Sequence, residues 1–218
     1  QGIAEIRHVE GYLAYWDELL RRHPGMPIDS CASGGRRNDL ETLRRAVPLL
    51  RSDWYWGPAG QQCHTYGLSL WFPFTGTGVI SRKDVYWMRS SLAPEFTFGP
   101  DVAGVEVIDF EVMRRCLDDW RALAPFFFGD FYPLSPYTRS EDQWMAWQYD
   151  RPDMGGGAIQ AFRRKDSVYE AARCKLRGLD VAAVYRVTGR DGEIDQEMTG
   201  AALMNEGLLI TLPERPRA

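Results

Sequence analysis

Two short stretches hold the residues whose types and spacing could do chemistry. The first runs Asp29-Ser30-Cys31-Ala32-Ser33-Gly34-Gly35-Arg36-Arg37-Asn38-Asp39-Leu40, the second Leu49-Leu50-Arg51-Ser52-Asp53-Trp54. Asp53 is the one carboxylate of the second stretch. Its apolar neighbours Leu49, Leu50, Trp54, Tyr55 and Trp56 would penalise the charged form, which is the setting of a proton donor. The residue types leave two other roles open, a cap for the next helix or a partner for an arginine such as Arg37. Gly34 and Gly35 let the backbone come close to a ligand, or form a plain turn. Arg37 can grip a carboxylate with two parallel hydrogen bonds, or remain a solvated charge. Trp54 and Trp56 offer rings for stacking or for the core. Cys31 has no recognisable dyad with His23 or His64, which argues against a nucleophilic thiol and leaves a structural one. Asp39 reads as a helix cap.

These stretches need elements to hold them. Val9, Tyr12, Leu13, Trp16, Leu19 and Leu20 recur at helical spacing, which predicts an amphipathic helix with one buried face, ended by His23-Pro24-Gly25. Met26–Cys31 then reads as a strand, Asp39–Val47 as a helix and Leu49–Asp53 as the next strand. Gln61–Leu70 reads as a helix, and Leu70–Phe74 as an apolar strand broken by Thr75-Gly76-Thr77-Gly78. Ser81–Ser91 is a helix, Phe96–Gly99 a weak strand and Asp109–Leu123 a helix. About four strand–helix units follow one another with short links. That pattern suits parallel strands with crossover helices, as in the second half of a (β/α)8 TIM barrel. An open doubly wound sheet is the alternative on pattern alone.

The texture changes near residues 124–132, at the aromatic junction Phe126–Pro136. Beyond it lie short apolar runs, 144–149, 158–164, 171–176, 181–187 and 208–212. Glycine-rich turns at 153–157, 189–192 and 205–207 separate them. This is the signature of a C-terminal antiparallel β-sandwich. The expected division is a barrel segment over residues 1–126 and an antiparallel β domain over 127–218.

Composition narrows the function classes. The formal net charge of −4 and the lack of a long Lys/Arg block argue against nucleic acid. No apolar run approaches the ~20 residues of a membrane span. Four widely spaced cysteines and three scattered histidines form no Cys-x-x-Cys pair, so neither a metal site nor a disulfide framework is expected. The thiols lean toward a reducing, cytoplasmic compartment, which the sequence otherwise leaves open. A phosphate-binding α/β enzyme would need a P-loop or dinucleotide pattern, and neither occurs. The chain opens at Gln1 without an initiator Met, and is expected to be a piece of a longer protein.

Cys31-Ala32-Ser33-Gly34-Gly35-Arg36-Arg37-Asn38-Asp39-Leu40 resembles the Cys-x-Ser-Gly-Gly-Gly-Arg-x-Asp-Leu segment of glycoside hydrolase family 36, the melibiase-type α-galactosidases. Ser52-Asp53 resembles the Ser-Asp dipeptide that follows on the family's next barrel strand. Trp144–Pro152 and Gly157–Arg164 resemble its C-terminal β domain, so the likeness spans nearly the whole chain in the right order. The resemblance implies a retaining hydrolase for terminal α-linked galactose that uses two aspartates and no cofactor or metal. Asp53 maps onto the general acid/base. Cys31, Gly34, Gly35, Arg37 and Trp54 are carried over as substrate contacts. The nucleophile is expected upstream of Gln1, since no Lys-x-Asp-x-Asn stretch precedes Cys31, and the 218 residues alone are expected to be inactive. The implied partner is an α-galactoside, and a homo-oligomer is compatible with the family.

Two positions depart from the family pattern. Arg36 stands where the family has a third glycine, and Trp54 where it often has Asn or another small polar residue. Both bear on the sugar rather than on the fold. N-acetylgalactosamine stays open on that account. Transfer to a sugar acceptor stays open because the same covalent intermediate serves both hydrolysis and transfer, and sugar binding without cleavage is the alternative if the upstream aspartate is lacking.

Overall fold

The computed structural model describes residues 2–31, 34–54, 57–80, 84–99 and 109–218. The chain opens with α1 (Gly2–Arg22), followed by the single turn α2 (Leu40–Leu43) and by α3 (Pro58–Leu68). Next come β1 (Gly76–Ile80), α4 (Val85–Ser90), β2 (Glu95–Gly99) and α5 (Phe110–Leu123). The remainder holds β3 (Asp130–Pro133), β4 (Met145–Arg151), β5 (Gly156–Phe162), β6 (Ala171–Cys174), β7 (Val184–Thr188), β8 (Asp195–Thr199), α6 (Gly200–Asn205) and β9 (Leu208–Thr211).

Four extended segments lie side by side in chain order. Asp29 bridges Val47 in parallel, through Ser30 N–H to Val47 O at 2.9 Å and Val47 N–H to Ile28 O at 2.9 Å. Gly76 then donates to Pro48 O at 2.8 Å and accepts from Arg51 N–H at 3.0 Å. That is the bonding of a parallel neighbour with one extra residue on the 48–51 side. β1 pairs β2 in parallel, with Gly76 opposite Glu95 and Ile80 opposite Gly99. Helices intervene in sequence between successive segments, as parallel connections require.

Several expected elements shift. The strands expected at 26–31 and 49–53 reduce to the single Asp29–Val47 bridge and isolated hydrogen bonds. The helix expected over 39–47 stops after one turn, because Val47 is drawn into the pairing with Ile28 and Ser30. Thr75–Gly78, expected to break a strand, lies at the start of β1 instead, and Leu70 and Trp71 are exposed. A side chain at Gly76 would strike Leu49 O and the Glu95 carboxylate, so only glycine lets the three segments close up there. In α1 only Trp16 is buried, while Ile3, Ile6 and Val9 face outward, so the single buried face is not formed among the described residues.

The C-terminal part is antiparallel β structure. β4 lies between β3 and β5, β6 pairs β9, and β7 pairs β8. β4 is covered on both faces. Alternate residues of a strand point to opposite sides. Met145, Trp147 and Tyr149 therefore join Tyr66, Tyr86, Met88, Leu92, Cys116, Leu123 and Phe127 in one core, while Ala146 joins Cys174, Leu176, Leu203, Leu208, Ile210 and Leu212 in the other. The first core packs the sheet against α3, α4 and α5. The second packs it against the smaller sheets. The turn at 153–157 links β4 to β5, with Gly155 at φ 65° where a left-handed residue is needed. β3 falls inside the junction expected to lack strands, because Asp130–Pro133 register against Trp147–Asp150. β8 and α6 were not expected either.

Candidate active site

The two chemical stretches meet where the first two extended segments end. Asp29 Oδ1 accepts from the backbone N–H of Cys31 at 2.9 Å and of Leu49 at 3.1 Å, tying one segment to the next. The chain then turns through Gly34 (φ 54°) and Gly35 (φ 87°), a conformation that side chains beyond glycine rarely adopt. Asn38 N–H closes this turn on Gly35 O at 3.2 Å. Its side-chain Nδ2 donates to Arg51 O at 3.1 Å. Asp39 caps α2, accepting from Thr42 N–H at 2.9 Å and Thr42 Oγ1 at 2.9 Å, as its type suggested.

The glycine pair is pressed onto the second stretch. A methyl group at Gly34 would overlap the Asp53 backbone nitrogen and Cγ and approach Oδ2 to 2.6 Å. One at Gly35 would overlap Arg51 O. Asp53 itself is exposed, and among the described residues it forms neither a helix cap nor an ion pair with Arg37. The apolar enclosure expected around it is not formed by Leu49 and Trp54, which are both exposed. Tyr55 and Trp56 lie outside the described residues.

Cys31 shares this corner. Its thiol is held above the ordinary cysteine range, first by partial burial of the sulfur and then by the negative charges of Asp29 and Asp53. A thiol in that state is a neutral contact group and a poor nucleophile. Cys31, Gly34, Gly35 and Asp53 are thus brought together. Two other expected contacts are held elsewhere. The Arg37 guanidinium lies 5.1 Å above the Tyr12 ring of α1. The Trp54 indole leans on the start of α3, where a methyl group at Gly60 would meet Cδ1 at 2.7 Å. Trp54 N–H donates to Ser52 Oγ at 3.1 Å, which fixes the turn after Asp53.

Two carboxylates escaped the sequence reading. Asp29 acts as the clamp described above. Glu95, at the start of β2, has its carboxyl raised above the ordinary range, chiefly by burial and further by the Asp29 charge, with the Thr97 hydroxyl opposing. Its Oε2 has no hydrogen-bond partner. Neither has a local motif, because both depend on the register of parallel segments distant in sequence. Among the described residues no group of three or more His, Cys, Asp or Glu could hold a metal ion, and all four cysteines are free. No helix among them is long and apolar enough to cross a membrane.

Residues 144–215 match the glycosyl hydrolase family 36 C-terminal domain. The probable alpha-galactosidase C of Aspergillus terreus is 27% identical over 227 aligned positions, covering 93% of this chain. The chain is thus similar to the C-terminal part of family 36 glycosyl hydrolases. Alpha-galactosidase AgaA of Geobacillus stearothermophilus is 26% identical and covers 84% of the chain. Among solved structures, the galactosidase domain of the alpha-galactosidase-sucrose kinase AgaSK superposes with a TM-score of 0.72 at 20% identity over 90% of the chain. A family 36 AgaA variant from Geobacillus stearothermophilus, solved with stachyose, superposes with a TM-score of 0.73 at 21% identity over 93% of the chain. The likeness to these structures is one of fold. The chain spans 28% of the length of the Aspergillus terreus relative and 26% of that of AgaA.

Proposed function

We propose that these residues carry the general acid/base side of a retaining α-galactosidase, with Asp53 as the proton donor. Residues 1–126 are read as the second half of a (β/α)8 barrel, and residues 127–218 as its C-terminal antiparallel β domain. The observation that carries the reading is the seating of the Gly34–Gly35 turn on Asp53 and Arg51, with the neutral Cys31 thiol beside them. The four parallel segments in chain order support the barrel.

Retaining hydrolysis needs a second carboxylate about 5–5.5 Å from the first. It is assigned to an earlier barrel strand outside these 218 residues. In the first step that carboxylate attacks the anomeric carbon while the Asp53 carboxyl gives its proton to the glycosidic oxygen, and the aglycone leaves as an alcohol. In the second step the Asp53 carboxylate takes a proton from water, and the hydroxide formed displaces the enzyme carboxylate and releases galactose. Neither step calls for a metal or cofactor. Cys31, Gly34 and Gly35 are read as the wall facing the sugar, with Arg37 and Trp54 at its margin.

The test is Asp53→Asn in the intact protein. Hydrolysis of a natural galactoside, whose leaving group needs a proton, should fall by about 10²–10⁴-fold. An aryl galactoside with an acidic phenol should lose far less, and azide should restore turnover on it. Unchanged hydrolysis of the natural galactoside would remove Asp53 from the acid/base role.

A further inference from the structure

Arg51 is charged and only 2% exposed. Its Nη1 donates to Thr75 Oγ1 at 3.2 Å. Its Nη2 donates to Thr65 Oγ1 at 2.8 Å, Gln61 Oε1 at 3.1 Å and Gln61 O at 3.3 Å. Every one of these acceptors is neutral. The Nε–H has no acceptor. Among the described residues no carboxylate acts on this guanidinium.

Two more buried polar atoms without partners belong to residues that feel its field. One is the Tyr149 hydroxyl on β4, which is 1% exposed, and the other is Nδ1 of His64 on α3. Ser69 lies near the Tyr149 hydroxyl without forming a proper hydrogen bond. Burial pushes the Tyr149 phenol up to about 12, so it stays a donor. Burial and the Arg51 charge push His64 down to about 4, so the imidazole is neutral near pH 7 and can offer Nδ1–H. The other buried guanidinium in the same region, Arg164, spends its donors on Gln62, Thr138 and Ser140 acceptors and on the Cys63 sulfur. Arg163 also leaves its Nε–H without an acceptor while its other donors serve the Leu212, Pro213 and Ser167 carbonyls, but Arg51 is the guanidinium whose charge acts on the unpartnered Tyr149 and His64 atoms.

A buried cation without a counter-charge is costly, and orphaned buried groups gathered in one region call for an ion or a water. We propose that Arg51, Tyr149 and His64 form a binding site for a small monovalent anion of halide type, at the junction of α3 and β4. A water would satisfy the N–H and O–H groups but leave the charge uncompensated. A dianion such as sulfate would overcompensate a single guanidinium whose other donors are already committed. The site is independent of the galactosidase reading, yet it lies close to that chemistry. Arg51 precedes Asp53 by two residues, and its carbonyl anchors Asn38.

The experiment uses bromide and chloride on the intact protein. At constant ionic strength set with gluconate, the thermal midpoint should rise with halide and follow the logarithmic law of a ligand bound only by the folded state. Sulfate at matched ionic strength should give no such rise. Crystals in bromide should show an anomalous peak within hydrogen-bonding distance of Arg51 Nε. Tyr149→Phe removes one hydroxyl and should weaken halide affinity about tenfold. Arg51→Met should abolish the halide response; if that variant does not fold, Tyr149→Phe and the bromide peak decide. A midpoint indifferent to halide, or plain water scattering beside Arg51, overturns the site. So does an undiminished affinity in Tyr149→Phe.

Discussion

Gly34 lies flat against Asp53. A methyl group at position 34 would overlap the Asp53 backbone nitrogen and Cγ; the carboxyl could rotate aside, but the backbone nitrogen could not. The residue also holds φ at 54°, so two separate constraints select glycine there.

Gly34→Ala should therefore cost more than backbone strain. Gly25 supplies the control, since it holds φ at 85° and a methyl group there would meet nothing within 4 Å. Gly25→Ala should lose about 1 kcal/mol, the strain alone. Gly34→Ala should lose about 1–3 kcal/mol more, because Asp53 must shift. Chemical denaturation of the two variants measures the difference. Equal losses would mean that Gly34 does not press on Asp53.

A second relationship joins the helical part to the β domain. Arg89 of α4 donates to Asp119 of α5 at 2.8 Å and to Asp191, in the turn between β7 and β8, at 2.6 and 2.9 Å. Asp191 also accepts from Arg115 and Arg217, and Asp119 from Arg190. The guanidiniums hold the Asp191 carboxyl down at about 2, with hydrogen bonding from Arg89 the largest cause. Because the folded value lies below the unfolded one, this stabilisation is fully present above about pH 4 and is lost as pH falls through about 2. With solvent screening at the rim it is worth about 1–2 kcal/mol. Asp191→Asn should cost about 3 kcal/mol at pH 7, since two of the four hydrogen bonds of the buried Arg89 guanidinium go to the Asp191 carboxylate. It should also flatten the acid limb of the stability curve. Parallel acid limbs for the variant and the parent would contradict the assignment.

The parts that were legible in sequence are those written in local periodicity. α5 formed where its spacing predicts a helix, with Cys116 buried, Met113, Leu117 and Trp120 half-buried, Phe110 exposed and its start capped by Asp109. β4, β5 and β9 largely coincide with apolar runs; the turn at 189–192 fell between β7 and β8, that at 205–207 follows α6, and β5 took in Gly156 and Gly157. β1 was missed because Gly76, Thr77 and Gly78 look like a loop. Their value lies in letting Leu49 O and Glu95 come close, which only the tertiary pairing reveals. β8 was missed because Asp195–Thr199 is largely exposed and shows no apolar alternation. It is held as a strand by pairing with β7, helped by the Arg186–Asp195 ion pair. The Asp29 clamp and the contact between Gly34 and Asp53 likewise join residues about 20 positions apart. The motif named the site's residues but not their contacts, and Arg37 and Trp54 took partners that no local pattern announces.

His64 offers the last test, because its environment converts directly into a pH slope. Burial is the main cause that lowers it to about 4, and the Arg51 charge adds to it. The unfolded chain takes up a proton near pH 6.5, while the folded one resists until about 4. The neutral form is therefore favoured by folding. Its contribution is complete above about pH 6.5 and is lost as pH falls toward 4, which is the reverse of a histidine held by a carboxylate. Allowing for partial exposure, the loss across that window is about 2–3 kcal/mol. Thermal midpoints measured from pH 7 to pH 4.5 at fixed halide should fall more steeply in the parent than in His64→Gln. Glutamine keeps a polar group at the position but binds no proton there. If the two slopes coincide, His64 is protonated in the folded protein as readily as in the unfolded chain, and a neutral imidazole facing Arg51 is wrong.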